Sequence, residues 1–373
     1  MNNNSNDIYK LILKDKTAFG DDVLSKDEPP RGYLNTGIIV LNCAMSGKVN
    51  GGIPLGKITM FAAHSTLGKT IIGMAAVKDA QSKGIYCVIL DAEFQWDWVL
   101  AARIGIDNDE TKIKVIQNNQ IEEIQANIMK IISNVPKSER HKIFFMFDSW
   151  GSLVTYEGVK KASDPDAKKD LNLNLKKNNL ANLILSTRST FYICNGVMDN
   201  IGGFGDPLRI PGAKRIILDS HVVILGRSKA KEEQTIKGED VLTGAIVSCK
   251  VHKSRLSREQ KEFTFRIKYN GGLDIFFGII DNAIEGGYVK LSDNGFYTRS
   301  HIKDDKKFRE KEVYCSNFWL PLFNETDFKE KLEEQFQLQG AFDVSNTDFY
   351  DNINKTKEVV FNKEDVQPDN QVD

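Results

Sequence analysis

The chain has 373 residues, with 50 Lys and Arg against 51 Asp and Glu and 41% hydrophobic residues. This composition suits a globular protein with one large core and satellites, or two domains, and excludes a disordered or fibrous chain. No run of about 18 apolar residues occurs, which excludes a membrane-spanning helix, and five scattered cysteines (Cys43, Cys87, Cys194, Cys249, Cys315), never in CxxC, point to reduced thiols in a cytosol-like compartment, against a disulfide framework or zinc site.

Residues 1–30 are polar and mixed in charge, close on Pro29-Pro30 and lack an apolar signal core; they read as an arm or small helix ahead of the main domain. From Gly37 the text becomes apolar. Ile58–Ala62 reads as a buried strand, and Ile71–Ala80 as a helix. Tyr86–Leu90, Ile143–Phe147, Thr190–Cys194 and Val222–Leu225 are further apolar runs, separated by segments of helical period such as 120–133 and 177–187. Apolar runs alternating with helices predict an α/β fold, a mostly parallel sheet with helices on both faces. Residues 244–252 and 262–270 alternate apolar and polar and read as an antiparallel pair at the sheet's end. A helix and then an aromatic-rich region (Phe296, Tyr297, Phe318, Trp319, Phe323) follow Gly272.

Charge is uneven along the chain. Residues 341–373 carry eight acids and three bases, while 209–271 carry fourteen bases and seven acids. The acidic end reads as a flexible tail. A basic segment with an acidic tail suits a polyanion binder, and it equally suits a solvated surface with a solubilising tail.

Three strand ends carry chemistry. Ile58–Ala62 runs into Ala63-His64-Ser65-Thr66-Leu67-Gly68-Lys69-Thr70, the GxxxxGK[ST] pattern with alanine at its first position. Such a loop turns successive N–H groups, Ser65 to Gly68 among them, toward phosphate oxygens. The following helix N-terminus adds its dipole, Lys69 a charge for the phosphates and Thr70 a hydroxyl for Mg²⁺. The plainer reading is a strand-to-helix turn with a surface lysine. Ile143–Phe147 ends on Asp148-Ser149, the form of a Walker B strand whose carboxylate holds the shell of Mg²⁺; the same aspartate also fits a helix N-cap. Tyr86–Leu90 ends on Asp91-Ala92-Glu93, where a glutamate at the ligand edge of a parallel sheet can polarise water, although strand-end acids are common.

In order and spacing these segments resemble the RecA-type recombinases, and among them the UvsX-type recombinases of T-even-like phages. Leu34-Asn35-Thr36-Gly37 and Gly51–Lys57 match the lead-in to the P-loop. Lys253-Ser254-Arg255 matches a basic pair on a late strand, and Asn270–Asp274 the segment closing the ATPase core. Asn317–Phe323 is similar to the UvsX type in particular, and the similarity spans about 34–340. The resemblance implies a RecA-like P-loop ATPase core over 34–283, an N-terminal polymerisation arm over 1–33, a small C-terminal subdomain over 284–340 and the acidic tail. It implies ATP and Mg²⁺ as cofactors, single-stranded DNA and homologous duplex as partners, a homo-oligomeric helical filament, and helper proteins that bind single strands and load the filament. It also implies a phage protein in the host cytoplasm.

By resemblance, Glu93 activates water, Lys69 and Thr70 hold phosphates and metal, Asp148 supports the metal, and Asp97 joins the nucleotide-binding residues. Lys253 and Arg255 match cations that reach into the neighbouring protomer's site; their other reading is a solvated strand face. Two segments resemble the family's DNA loops: about 157–171 with Lys160, Lys161, Lys168 and Lys169, and about 197–214 with Ile201, Phe204, Leu208, Arg209 and Lys214. The first also fits an ordinary lysine-rich loop. Three positions depart from the family: Ala63 replaces a glycine, Gly196 stands where the family carries a phosphate-sensing Gln or His, and Leu100 where bacterial relatives carry a tyrosine on adenine. Gly196 and Ala63 motivate a second reading, an accessory DNA-filament protein with vestigial ATP use. A third is a hexameric helicase, which ordinarily carries a larger domain ahead of the core than the roughly 33 residues present here.

Overall fold

A computed structural model describes residues 31–162, 172–200, 207–212, 214–236, 239–304 and 306–338. The expected N-terminal arm up to residue 30, the acidic tail, and Lys168, Lys169, Ile201 and Phe204 lie outside these described residues, as does the side chain of Lys161.

In chain order the elements are β1 (Tyr33–Leu34), α1 (Ile39–Ser46), β2 (Ile53–Pro54), β3 (Ile58–Ala62), α2 (Lys69–Ser82), β4 (Tyr86–Asp91), α3 (Trp98–Ile104), β5 (Ile113–Gln117), α4 (Ile121–Ser133), β6 (Ile143–Asp148), α5 (Tyr156–Ala162), α6 (Leu173–Thr187) and β7 (Thr190–Asn195). There follow β8 (Met198–Asp199), β9 (Leu208–Arg209), α7 (Lys214–Asp219), β10 (Val222–Ile236), β11 (Glu239–Ser254), β12 (Glu262–Lys268), β13 (Gly272–Leu273), α8 (Ile280–Glu285), β14 (Val289–Leu291), β15 (Tyr297–Arg299), α9 (Ser316–Glu325) and α10 (Phe328–Phe336).

Nine strands form the central sheet in the order β13-β12-β11-β10-β3-β7-β6-β4-β5. From β10 to β5 neighbouring strands are parallel; β11, β12 and β13 add on antiparallel. The alternation of a strand decides the layering. In β6, Phe144 and Met146 face one apolar layer with Ile72, Met74 and Val77 of α2. Phe145 and Phe147 face the other, with Ile124 and Ile128 of α4 and Leu180 and Ile184 of α6. Strands buried on both faces read as continuous apolar runs, as IFFMF does. Within the second layer Phe145 stacks on Phe191, ring centroids 4.5 Å apart.

The sheet order places β3 and β6 on either side of β7, so the P-loop and Asp148 open at the same carboxyl edge. Only Val222–Leu225 of β10 pairs with β3. Beyond it β10 and β11 run on as a long hairpin, paired from Arg227's neighbour Ser228 to Ile236 and Glu239. Its charges are partly spent within the fold. Buried Arg266 of β12 meets Glu232 at 2.9 Å and Asp274 at 2.6 Å, and Lys268 meets Asp274 at 2.8 Å. The Arg266 guanidinium also lies over the rings of Phe277 and Tyr314. The basic excess of 209–271 is therefore not all presented to solvent.

After β13 the aromatic-rich region folds round Trp319, fully buried on α9 and stacked on Phe276 and Phe328. Arg299 of β15 donates to the carbonyls of Asn317 and Phe318, both at 3.0 Å, and so fixes the start of that helix. α10 returns to the core: Glu333 Oε1 accepts from the Val49 N–H at 2.9 Å, and the Phe336 carbonyl from Arg258 N–H at 2.7 Å. The described residues up to Gln337 fall in one compact unit. No described helix is long and apolar enough to cross a membrane.

Candidate nucleotide site

The loop between β3 and α2 closes on itself. Gly68 stands at φ 84°, a left-handed position where a built Cβ would meet Ile267 Cδ1 at 2.6 Å, so glycine is required there. Thr66 is the other left-handed residue of the loop, at φ 70°. Ala63 is not among the positive-φ residues, so alanine meets no backbone barrier. Its methyl finds room because Gly226 of β10 lies opposite; a Cβ on Gly226 would fall 2.7 Å from it. Lys69 Nζ donates to the carbonyls of Ala63 and His64, both at 2.9 Å, holding the loop curled around its own ammonium. Tyr192 Oη donates to the Lys69 carbonyl at 2.8 Å and pins the start of α2 to β7.

Across the sheet edge, Thr70 Oγ1 donates to Asp148 Oδ2 at 2.6 Å. Burial pushes the Asp148 carboxyl up from its ordinary range, the Thr70 bond opposes this, and the Glu93 charge adds to it. Hydroxyl and carboxylate are hard oxygen donors, suited to Mg²⁺, which keeps several waters and takes phosphate oxygens besides. No cluster of three His, Cys, Asp or Glu able to hold a metal occurs among the described residues. A cation here would thus draw its remaining ligands from phosphate and water.

Glu93 is exposed and accepts from Ser149 Oγ at 2.5 Å and Ser152 Oγ at 3.2 Å. Asp91, two residues before it, is buried. It accepts from the N–H groups of Gln95 (3.1 Å) and Trp96 (2.9 Å) and from Gln117 Nε2 (2.9 Å). Asp91 shapes the turn; Glu93 is the carboxylate turned outward. A cleft of about 350 Å³ is lined by Lys69 and Glu93 together with His64, Ser65, Ser149 and Gly196, among others. A Cβ built on Gly196 would meet nothing within 4 Å, so that position opens into space.

The other sequence candidates lie elsewhere. Asp97 caps α3, accepting from the N–H groups of Val99 and Leu100 at 2.7 and 3.3 Å, while Leu100 is exposed on that helix. Lys253 Nζ donates to the carbonyls of Ile217, Leu218 and Ser220 at the end of α7. Burial, then the charge of Arg255, holds its ammonium below the usual lysine range. Arg255 is exposed, its N–H bonded to the His221 carbonyl at 3.0 Å. Neither cation lines its own chain's cleft. Lys160 is exposed on α5, Lys214 exposed at the start of α7, and Arg209 exposed on β9. β8 and β9 pair as Met198 with Arg209 and Asp199 with Leu208, closing the base of the 197–214 segment.

Several neighbours of the site carry no motif. Ser152 and Ser149 share the Glu93 carboxylate, Lys229 of the long hairpin donates to the Thr66 carbonyl at 3.4 Å and lies over the Tyr269 ring, and Lys177 of α6 borders the cleft. Only β10 crossing beside β3 brings Lys229 there, and that pairing leaves no local sequence signal.

A glycine-bearing phosphate loop, a threonine–aspartate pair and a glutamate at one parallel sheet edge define a P-loop ATPase core. The chain belongs to the RecA family: the RecA N-terminal domain matches residues 22–274. The C-terminal domain of the bacteriophage T4 recombination and repair protein matches 276–332, the segment folded round Trp319. Among whole proteins, the chain is similar to the recombination and repair protein of Enterobacteria phage T4, 24% identical over 353 residues, 90% of this chain and 87% of the relative. It is 28% identical over 282 residues to protein RecA of Bacteroides thetaiotaomicron (74% of this chain, 79% of the relative) and 26% over 267 residues to that of Chlorobaculum tepidum (70% and 73%).

Proposed function

We propose that this protein is a DNA-dependent ATPase that polymerises on single-stranded DNA and catalyses homologous pairing and strand exchange, in phage recombination, repair and recombination-dependent replication in the host cytoplasm. The observation that carries this reading is that Lys69 and Glu93 line one cleft while Thr70, next to Lys69, bonds Asp148 at the same sheet edge. Match to the RecA N-terminal domain and to the T4 C-terminal domain supports it.

Magnesium, when bound with ATP, neutralises charge on the phosphates and orients them. Lys69 then leaves its loop carbonyls for the phosphates, since a charge-assisted bond to phosphate is stronger than one to a neutral carbonyl. Glu93 takes the proton of the attacking water; Ser149 and Ser152 hold it in one rotamer until then. Arg255, exposed and away from its own cleft, meets the site of the next protomer and offsets charge developing on the transferred phosphoryl group. Lys253 supports that strand end through α7 and joins the same interface. Lys160, Lys161, Lys168 and Lys169 serve DNA phosphates from the first loop, and Phe204, Arg209 and Lys214 bases and phosphates from the second. A single-strand binding protein and a loader attend the filament.

The test is ATP turnover with and without single-stranded DNA, together with joint-molecule formation between that strand and a homologous duplex. Stimulated turnover and joint molecules are expected, and Lys69→Ala should lose both. Turnover without joint molecules would shift the reading to a motor of the helicase kind, and DNA filaments without turnover to an accessory protein.

A further inference from the structure

Lys177 is only 4% exposed, yet its residue borders the cleft shared by Lys69, Glu93 and Gly196. Its ammonium donates to the Trp150 carbonyl at 3.1 Å. Among the described residues that is the one hydrogen bond it makes, and no carboxylate there stands within ion-pair distance of it. Burial alone holds it below the ordinary lysine range. An ammonium has three donors to satisfy and no use for burial without an anion. Every other buried cation of the described fold has its counter-charge, as Arg266 has Asp274 and Arg299 has Asp304. Among the described residues no counter-charge meets Lys177, and the cleft it borders is also lined by the P-loop residues His64, Ser65 and Lys69.

We propose that Lys177 is a second phosphate cation of this chain's own cleft, meeting the terminal phosphate oxygens of a bound nucleoside triphosphate, or the orthophosphate that hydrolysis leaves. Gly196, with no side chain, leaves that part of the cleft open to it. The proposal rests on the nucleotide reading given above. It also supplies a connection. The Trp150 carbonyl that Lys177 holds belongs to a residue whose fully buried indole lies against Gly212: a Cβ on Gly212 would come 3.3 Å from Trp150 Nε1, which has no hydrogen-bond partner among the described residues. Asn195 Nδ2 donates to the neighbouring Pro211 carbonyl at 3.1 Å. When Lys177 turns to phosphate, Trp150 is released at the root of the 197–214 segment, so the phosphate state reaches the DNA side.

The experiment uses the full chain with Lys177→Gln, whose amide still donates to the Trp150 carbonyl but carries no charge; Lys177→Met removes both. Calorimetric titrations with Mg²⁺ and either a non-hydrolysable ATP analogue or ADP give the preference for the third phosphate. Both variants should lose about tenfold or more of analogue affinity, the usual weight of one charge-assisted bond, with ADP affinity held. Titrating orthophosphate into the ADP-bound protein separates the two sources. Wild-type binding abolished in Lys177→Gln assigns the leaving phosphate; no orthophosphate binding by the wild type, with the analogue loss intact, assigns the nucleotide's own phosphate. An analogue-to-ADP ratio in Lys177→Gln equal to wild type overturns the proposal and leaves Lys177 as a tie for Trp150. Failure of the wild type to bind either nucleotide sinks the ATPase reading instead. The difference in single-stranded DNA affinity between analogue and ADP should shrink in Lys177→Gln; a full wild-type difference would overturn the link through Trp150.

Discussion

Replacing Gly226 by alanine tests how this P-loop accommodates Ala63 at its first position. Gly226 is not at positive φ, so the effect is one of volume and not of backbone strain. The added Cβ would stand 2.7 Å from Ala63 Cβ, 3.3 Å from Leu67 Cδ2 and 3.3 Å from Phe61 Cε1. All three neighbours are buried, so none can swing into solvent. Overpacking of this kind costs about 1–3 kcal/mol. Part of that cost can be met only by moving the loop, which loosens nucleotide binding as well. Gly226→Ala should lower the urea midpoint at unchanged m-value and weaken ATP-analogue binding. Ala63→Gly on the same chain removes the opposing methyl and should recover about 1–2 kcal/mol beyond the sum of the single changes, as contacting residues couple. Strictly additive effects, or a Gly226→Ala protein as stable as wild type, would refute the idea that glycine at 226 makes room for alanine at 63.

Other expectations follow from the same geometry. Gly196→Gln enters open space and should cost no more than about 0.5 kcal/mol, the range of surface substitutions; a loss several times larger in urea denaturation would show that the position is packed. Burial, then the charges of Lys57, Arg255 and Lys253, lowers the His221 pKa from 6.5 to about 4. The unfolded chain therefore binds a proton below pH 6.5 that the folded chain refuses until about pH 4. Its contribution is present above pH 6.5 and is lost as the pH falls through that window. His221→Gln should flatten that acid-side loss, and parallel stability profiles for the two proteins would contradict it. Binding to single-stranded DNA should weaken with salt at a log–log slope of about −0.7 per phosphate contact. Removal of 341–373, net −5, should raise the affinity; a salt-insensitive isotherm would remove the electrostatic footing of both statements.

Much of the fold was legible because buried parallel strands announce themselves. Ile58–Ala62 matches β3 in full, Tyr86–Leu90 falls in β4 and Ile143–Phe147 in β6, since continuous apolar runs have no other comfortable place. The edge strand β5 was missed: IKVIQ is short and half exposed, and an edge needs only one apolar face. Sequence patterning placed the last pair at 244–252 and 262–270, whereas β11 begins at Glu239 and its partner β10 runs to Ile236. The added length, with Ser228–Glu233 in β10 and Glu239–Thr243 in β11, is rich in charged residues and contributes no buried side chain, so hydrophobic periodicity could not see it. In the site, Lys69, Thr70, Asp148 and Glu93 were legible from strand ends. The roles of Asp91, Ser152 and Lys177 depend on partners 26 to 59 residues away and leave no local spacing. Ala63 looked like a defect because its compensating residue, Gly226, lies on a strand that pairs beside it only in the folded sheet.

The central claim is that adjacent protomers complete each other's ATPase site, and mixing two inactive variants on DNA tests it directly. Arg255→Ala keeps its own Glu93 but donates no cation; Glu93→Gln donates Arg255 but cannot activate water. Each alone should show almost no DNA-stimulated turnover, since a trans-acting arginine is worth about 10³-fold or more. Where an Arg255→Ala site is completed by a Glu93→Gln neighbour, a competent site is rebuilt, so the mixed filament should recover turnover that neither variant shows. No recovery in filaments shown to contain both variants would contradict the claim.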